Sequence, residues 1–417
     1  KNSVNQFRGT VSLPVDFVTL PGHQGLDIKV TAIYSSAVKK AVATWNVEAP
    51  TGILGLGWDM PLEYITVSKN GSGSPTSDTY YLFTSGSAIP MVKVGEIEGS
   101  WTFQLKSHEF WEITYNPSKL TWTIVKEDGF IHTYGGVESK GAVQWGIKWG
   151  NWMGNSSLRV GQDQYALAWN LSSIESPWGQ RVTYAYQNTD HPVGKDGLEF
   201  TQESYLKTII DSFGRTVVFN YSEKYGANNP SPPGMVDGNI VEYQAGNTQP
   251  PELNAYQNRY ETKYLESIDV INAEGRPLYS FAFNYSFFNA SLTGDTNRNL
   301  LWKRCLDSVC QLNLTGATLP SMHFEYNGKD ELNPGAIKSI LYPTGGIARF
   351  TYKKAIIDAR SSFAHGQVYV ALSRCKTIEG MVLSTPIGNS SVKNDTAVLQ
   401  YTSAIEQNAP KQEQLDE

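Results

Sequence analysis

The sequence predicts a mainly β protein built from stacked antiparallel hairpins and sheets. The clearest observation is a phrase that occurs five times, at residues 174–186, 209–221, 268–285, 306–326 and 337–352. Each copy has an Ile- or Leu-led half-strand, a polar or glycine-containing turn, and an alternating strand that ends on a tyrosine. A unit this short cannot bury a core alone, so the repetition indicates hairpins that are stabilised by pairing with their neighbours.

Composition points to the same fold class. The 417 residues include 23 Tyr, 11 Trp, 37 Gly and 20 Pro, and runs rich in Val, Ile and Thr alternate with turn residues, as in strands joined by tight turns. The net charge is −6 and no basic cluster is present, which argues against nucleic acid as a partner of the main body. No run reaches the roughly 20 apolar residues of a membrane span, and no charged, apolar leader opens the sequence.

The patterns divide the chain into four regions. Residues 1–150 alternate with a period of two in several segments and predict an N-terminal β domain. Residues 151–352 hold the repeated hairpins, which are interrupted by a loop insertion rich in Pro and Asn at 226–257. Residues 353–386 predict a helix followed by a short strand, and the polar, aperiodic residues 387–417 are typical of a disordered tail.

A tryptophan-rich passage lies within residues 144–169. Trp145, Trp149 and Trp152 could form an aromatic platform for a glycan. In a β-scaffold such side chains more often fill the space between sheets, so packing is the favoured interpretation. Both interpretations stay open from the sequence alone.

The sequence carries no catalytic signature. Its six histidines and three cysteines show no metal-ligand spacing, and no nucleophile elbow or phosphate-binding loop is present. Neighbouring acids such as Glu109 and Glu112 are interpreted as solvated charges rather than as a glycosidase pair. We therefore expect no enzyme activity, no metal and no cofactor. Cys305 and Cys310 could form a bridge, but two buried thiols are favoured.

Two motifs carry a resemblance to a known family. Residues 51–61 read Thr-Gly-Ile-Leu-Gly-Leu-Gly-Trp-Asp-Met-Pro, and residues 333–346 read Asn-Pro-Gly-Ala-Ile-Lys-Ser-Ile-Leu-Tyr-Pro-Thr-Gly-Gly. With the hairpins between them, they resemble the SpvB N-terminal domain, the B component of insecticidal Tc toxins, and RHS/YD-repeat proteins. We interpret the motif residues as structural, because glycines permit tight turns. These residues are Gly55, Gly57, Trp58, Pro343, Gly345 and Gly346.

The resemblance implies a structural role in a bacterial toxin or virulence protein. In that family, repeats wind β-strands into a hollow shell that encloses a toxic C-terminal segment. The chain is then expected to form part of the shell wall, with the remainder of the shell or other toxin-complex subunits as partners. A secreted or bacterial cell-surface location is implied. The alternative is a glycan- or surface-binding β module that uses residues 145–169, with a cell-surface glycan as its partner.

A second resemblance covers residues 354–386. This segment is similar to the last conserved motif of Pif1/RecD-like superfamily 1 DNA helicases, and Gln367 and Arg374 match the residues that face the ATP γ-phosphate in that family. The sequence has no phosphate-binding loop, so a helicase fragment of this kind would be inactive. The abrupt change near residue 353, without a Gly-, Ser- or Pro-rich linker, favours a chimeric, accidental junction.

Overall fold

The computed structural model describes residues 3–5, 10–38, 51–69, 78–106, 110–137, 141–149, 161–193, 198–224, 263–289, 302–313, 316–331, 333–350, 355–357 and 381–383. Within these ranges every regular element is a β-strand, and the predicted mainly β class is confirmed. None of the described residues belongs to a helix with the length and apolar character of a membrane-spanning segment.

The strands are, in chain order, β1 (Ser3–Asn5), β2 (Thr10–Leu20), β3 (Ile28–Ser35), β4 (Trp58–Asp59), β5 (Tyr64–Ser68), β6 (Thr79–Thr84), β7 (Ser87–Ile97), β8 (Ser100–Leu105), β9 (Glu112–Asn116), β10 (Thr121–Val125), β11 (Ile131–Gly135), β12 (Val143–Trp149), β13 (Gly161–Glu175), β14 (Arg181–Val193), β15 (Leu198–Ile210), β16 (Thr216–Glu223), β17 (Lys263–Ile271), β18 (Pro277–Asn289), β19 (Trp302–Leu312), β20 (Met322–Tyr326), β21 (Ile337–Leu341), β22 (Ile347–Arg349), β23 (Ala355–Ile357) and β24 (Met381–Leu383).

Strands β5 to β11 form an antiparallel meander that closes into a barrel through β13. Each strand of the meander pairs with the next. At one end β11 pairs with residues 171–175 of β13, and at the other end β5 pairs with residues 168–170 of the same strand. The long strand β13 therefore closes the sheet on itself.

Aromatic side chains fill the barrel. Trp122 is fully buried at its centre, and its ring centroid lies 4.6 Å from that of Tyr115, 4.7 Å from that of Phe103 and 5.6 Å from that of Trp169. Alternate residues of each strand point inward, so the period-two pattern of the sequence supplies this core. The buried members of the cluster are Ile65, Val67, Tyr80, Leu82, Met91, Phe103, Ile113, Tyr115, Trp122, Ile124, Tyr134, Val143, Trp169 and Leu171.

A carboxylate joins the two ends of the barrel sheet. The main-chain oxygen of Glu63 accepts a hydrogen bond from Leu171 N at 3.1 Å. Its side chain accepts from Thr84 Oγ1 at 2.6 Å and from Tyr134 OH at 2.9 Å, and lies 3.2 Å from His132 Nδ1. Burial raises the pKa of Glu63, but the hydrogen bonds to His132 and Thr84 and the nearby positive charge outweigh burial and bring it to about 2.

Beyond the barrel, the antiparallel meander continues from β13 to β22, with each strand pairing with the next. Strand β12 pairs with the first half of β13, and strands β1 to β4 form a separate four-stranded sheet. In the part of the chain that the structure describes, β22 pairs only with β21. The repeated phrase of the sequence thus becomes a continuous sheet of hairpins.

Six hairpins share one turn geometry. The first turn residue donates its N–H to the carbonyl four residues later, and a glycine at the fourth position donates back to the first residue, as in Gly214 N to Asp211 O at 3.0 Å. The glycines have φ angles between +75° and +84°, which favours residues without a Cβ atom. They are Gly129, Gly179, Gly214, Gly275, Gly316 and Gly345. Five of these turns lie in the five predicted copies, and the sixth joins β10 to β11 inside the barrel.

The chain divides into two compact units, one of residues 13–350 and one of residues 1–12 with 351–417. In the second unit, β23 and β24 pair in parallel. Strand β23 lies in a segment for which the sequence predicts a helix. The predicted insertion at 226–257 and the predicted disordered tail at 387–417 lie outside the described residues.

We expect Glu63→Gln to reduce stability at pH 7 and to flatten its dependence on pH. The ordinary pKa is 4.5 and the folded-state pKa is about 2, so the ionised group contributes stability that is complete above pH 4.5 and is lost as the pH falls towards 2. Urea unfolding followed by tryptophan fluorescence at successive pH values measures this loss. Glu274→Gln, which removes an exposed turn carboxylate, is the control, and equal slopes for wild type and Glu63→Gln would contradict the prediction.

Candidate assembly site

Four tyrosine hydroxyls form a regular row across the repeated hairpins, which we call the tyrosine ladder. Each closes its own hairpin by donating to a carbonyl of the preceding strand. The pairs are Tyr186 OH to Leu171 O at 2.9 Å, Tyr221 to Leu206 at 2.8 Å, Tyr285 to Leu265 at 2.5 Å and Tyr326 to Leu306 at 2.6 Å. Burial raises the pKa of Tyr186 and Tyr326 well above the usual range, so these hydroxyls remain donors.

Each acceptor is the first residue of a four-residue pattern. The first position is Leu or Ile, the second is any residue, the third is Ser or Thr, and the fourth is Ile or Val. We call this first residue the leader. The patterns occupy residues 171–174, 206–209, 265–268, 306–309 and 337–340. Each ladder tyrosine also pairs with the leader of the following strand, and the strand register shifts at that tyrosine. Tyr221 of β16, for example, lies opposite Leu265 of β17. One tyrosine therefore contacts two successive leaders.

The barrel contains a further member of this row. Tyr134 of β11 lies opposite Leu171 at a register shift, as the ladder tyrosines lie opposite their leaders. Its hydroxyl donates to the carboxylate of Glu63 rather than to a main-chain carbonyl. The β10–β11 hairpin is thus a sixth, divergent copy of the repeat, and Glu63 supplies the acceptor that a preceding leader supplies elsewhere.

Residues 51–60, which we call the strap, contact successive strands of the repeated sheet. Ile53 O accepts from Leu265 N at 2.9 Å and from Tyr285 OH at 3.3 Å. Leu56 N donates to Arg304 O at 2.7 Å. Since these bonds reach β17, β18 and β19, the strap binds three strands through main-chain and ladder groups.

Two features require glycine at positions 55 and 57 of the strap: a positive φ angle and the short distance between the strap backbone and neighbouring atoms. Gly55 has a φ of +85°, and a Cβ atom there would lie 2.7 Å from Arg304 O. Gly57 has a φ of +78°, and a Cβ atom there would lie 2.6 Å from the Tyr34 ring and 2.9 Å from Ser35 O. Any larger residue would push the strap away from the sheet.

Trp58 fixes the end of the strap to the last ladder tyrosine. It is 4% exposed, its Nε1 donates to Tyr326 OH at 3.0 Å, and its ring centroid lies 4.8 Å from that of Phe324 and 5.2 Å from that of Tyr34. Tyr34 OH in turn accepts from Ile337 N at 2.8 Å. The strap therefore links the N-terminal sheet to β20 and β21.

The second motif lies at the β21–β22 turn. Gly345 has a φ of +84° and open space where a Cβ atom would project, and Tyr342 N donates to Gly346 O at 2.8 Å. Pro343 occupies the second position of this turn. These residues set the geometry of one hairpin.

Of the remaining predicted site residues, only Trp145 has a side chain that the structure describes. Trp145 lies half-buried on β12, and Trp149 ends that strand with its side chain outside the description. Trp152, Gln367 and Arg374 lie outside the described residues. In the described ranges no group of three His, Cys, Asp or Glu side chains is placed to hold a metal ion. Cys305 and Cys310 are both buried free thiols.

Sequence reasoning missed Glu63, Tyr34 and Arg304 because their contacts are long-range. The ladder had a visible signal, since a tyrosine follows each leader by 15 or 20 residues. Taken together, the ladder and strap offer buried donors, main-chain acceptors and aromatic packing. This arrangement is suited to holding strands in register.

We expect Gly55→Ala to destabilise the protein by roughly 2–5 kcal/mol, because the strain of a positive φ adds to the clash with Arg304 O. Gly275→Ala is the matched control, since Gly275 has a φ of +78° and open space around it. The control should cost only roughly 1–2 kcal/mol. Urea unfolding measures both, and equal losses would show that the strap does not depend on the close approach.

Comparison with solved structures identifies relatives in fold. A crystal structure of TcdB2-TccC3 matches with a TM-score of 0.51 at 15% identity, over 78% of this chain and 17% of that chain. A Tc holotoxin pore from Photorhabdus luminescens has a TM-score of 0.46 at 15% identity, over 77% of this chain and 16% of that chain. The N-terminal domain of effector protein SpvB from Salmonella typhimurium strain LT2 has a TM-score of 0.42 at 14% identity, over 72% of this chain and 99% of that chain.

No family model and no curated protein matches the sequence. The chain spans about a sixth of the TcdB2-TccC3 chain that it matches, at 17%. At this identity the likeness concerns the fold alone. The chain has a mainly β fold of stacked antiparallel strands similar to that part of TcdB2-TccC3.

Proposed function

We propose that the chain is a non-enzymatic structural part of a Tc- or SpvB-like bacterial toxin, in which residues 13–350 form a portion of a β-shell wall. The observation that carries the proposal is the tyrosine ladder with the strap bound across it. This arrangement repeats one hairpin geometry and holds successive hairpins in register, as an extended wall requires. The fold likeness to TcdB2-TccC3 and the two motifs support the same assignment.

The wall continues, in this proposal, at the β22 edge. Strand β22 pairs with β21 alone among the described residues. The cross-strand partners Leu341 and Ile347 at this end are 38% and 51% exposed. An edge strand presents main-chain donors and acceptors to any strand that approaches it. The partners are therefore the remainder of the shell or other toxin-complex subunits, in a secreted or cell-surface assembly.

We expect the chain to self-associate through this edge, because in the described residues the outer side of β22 pairs with no other strand. Sedimentation velocity at increasing concentration should show reversible association. Ile347→Lys should weaken it by about tenfold, since an edge lysine opposes strand pairing. Ile97→Lys, at a 66% exposed position of the β7–β8 hairpin, is the control and should leave association unchanged.

Two results would overturn the β22 assignment. The wild-type chain could sediment as a monomer at every concentration, or the two lysine variants could weaken association equally. The first result would mean that the edge needs no partner, and the second that general surface charge rather than strand pairing controls association.

We further propose that residues 353–386 have no nucleotide chemistry, although Gln367 and Arg374 match a helicase motif. No phosphate-binding loop is present in the sequence to hold ATP. Calorimetric titration of the whole chain with MgATP tests this directly. Measurable binding would favour the helicase-fragment alternative.

A further inference from the structure

A cleft of about 410 Å³ lies between the barrel and strand β14, and we call it the Trp145 cleft. Its volume is within the range of about 300–1,000 Å³ that is typical of small-molecule sites. An indole and aliphatic side chains form one part of its wall, and an amide and a carboxylate form another. The indole belongs to Trp145, the aliphatic side chains to Val137 and Val143, the amide to Asn188 and the carboxylate to Asp190.

One buried threonine positions both the aromatic and the acidic parts of the cleft. Thr201 is 1% exposed. Its Oγ1 accepts from the main-chain nitrogen of Trp145 at 2.9 Å and donates to Asp190 Oδ1 at 2.6 Å. Because a single hydroxyl makes both bonds, it fixes the position of the Trp145 backbone relative to the Asp190 carboxylate.

Irregular pairing places these side chains as well. The register of β12 against β13 shifts between Gln144 and Trp145. The register of β14 against β15 shifts between Thr189 and Asp190. Bulges turn a side chain out of the regular alternation and are common beside binding sites. Both principal residues of the cleft therefore lie at a bulge.

Asn188 adds an acceptor to the wall. Its Nδ2 donates to Val143 O at 2.9 Å, which fixes the orientation of the amide. Its Oδ1 is buried and has no hydrogen-bond partner among the described residues. Such a group is costly to leave unpaired.

We propose that the Trp145 cleft binds a neutral saccharide. The apolar face of a pyranose ring packs on an indole, and sugar hydroxyls donate to carboxylate and amide oxygens such as those of Asp190 and Asn188. Among the described residues that line the cleft, the charged side chain is that of Asp190, so an anionic saccharide would be repelled by this carboxylate. This site does not depend on the proposed shell function, and it uses Trp145 without Trp149 or Trp152.

Saturation-transfer NMR of the whole chain tests the proposal. The probes are methyl glycosides of glucose, galactose, mannose and N-acetylglucosamine, with N-acetylneuraminic acid as the anionic probe. At least one neutral glycoside should bind, and the anionic sugar should bind at least about tenfold more weakly. Trp145→Ala should reduce the neutral affinity by about tenfold or more, since it removes the stacking surface. Trp178→Ala is the control, because Trp178 is 58% exposed at the β13–β14 turn and should not affect binding.

Asp190→Asn gives a second readout that does not depend on a core substitution, since Asp190 is exposed. This variant should reduce the ratio of the affinity for neutral glycosides to the affinity for the anionic sugar. Absence of binding by every neutral glycoside would overturn the proposal. The proposal would also be overturned if Trp145→Ala and Asp190→Asn both left the affinity for the neutral glycosides unchanged. Equal losses of affinity in Trp178→Ala and Trp145→Ala would overturn it as well.

Discussion

The hydrogen bond from a tyrosine hydroxyl to a leader carbonyl is the interaction on which the repeated sheet depends. A buried carbonyl must find a donor, and a bulge interrupts the regular ladder that would otherwise supply one. Each of the four repeats whose closing tyrosine the structure describes has a bulge at that tyrosine, and the tyrosine hydroxyl donates to the leader carbonyl of the same hairpin. The same residue then lies opposite the next leader. Register is thereby transmitted from one hairpin to the next.

The strap uses this row instead of forming a separate interface. The carbonyl of Ile53 and the carbonyl of Leu265 both accept from the hydroxyl of Tyr285. Trp58 donates to the hydroxyl of Tyr326. A hydroxyl can donate once and accept as well, so Tyr326 donates to Leu306 O while it accepts from Trp58. The single proton of Tyr285 is divided between two carbonyls, and Leu265 O at 2.5 Å is much nearer than Ile53 O at 3.3 Å. The close approach that this demands explains glycine at positions 55 and 57. Without the ladder the strap would keep only its main-chain bonds to Leu265 and Arg304, and without the glycines it could not approach the sheet closely enough to make them.

Local chemistry explains what could be predicted from the sequence. The mainly β class follows from alternation and repetition, and the turn glycines follow from the positive φ of a tight hairpin. The closed barrel could not be predicted, because it depends on Glu63 and Leu171, which are 108 positions apart in the sequence. Trp145 was noticed as an aromatic residue, but its partners Thr201 and Asp190 lie on other strands. Spacing along the chain carries no information about such pairs.

The two ends of the ladder differ, and the difference gives the array a direction. At the barrel end, Tyr134 meets the carboxylate of Glu63, which is ionised at neutral pH because its pKa is about 2. This side chain takes the place of a preceding leader, so the array begins there without a neighbour. At the other end, Tyr326 lies opposite the leader Ile337, and no residue described beyond that leader supplies a comparable side-chain acceptor. The ladder therefore begins at a side-chain carboxylate in the barrel and passes from leader to leader as far as β21.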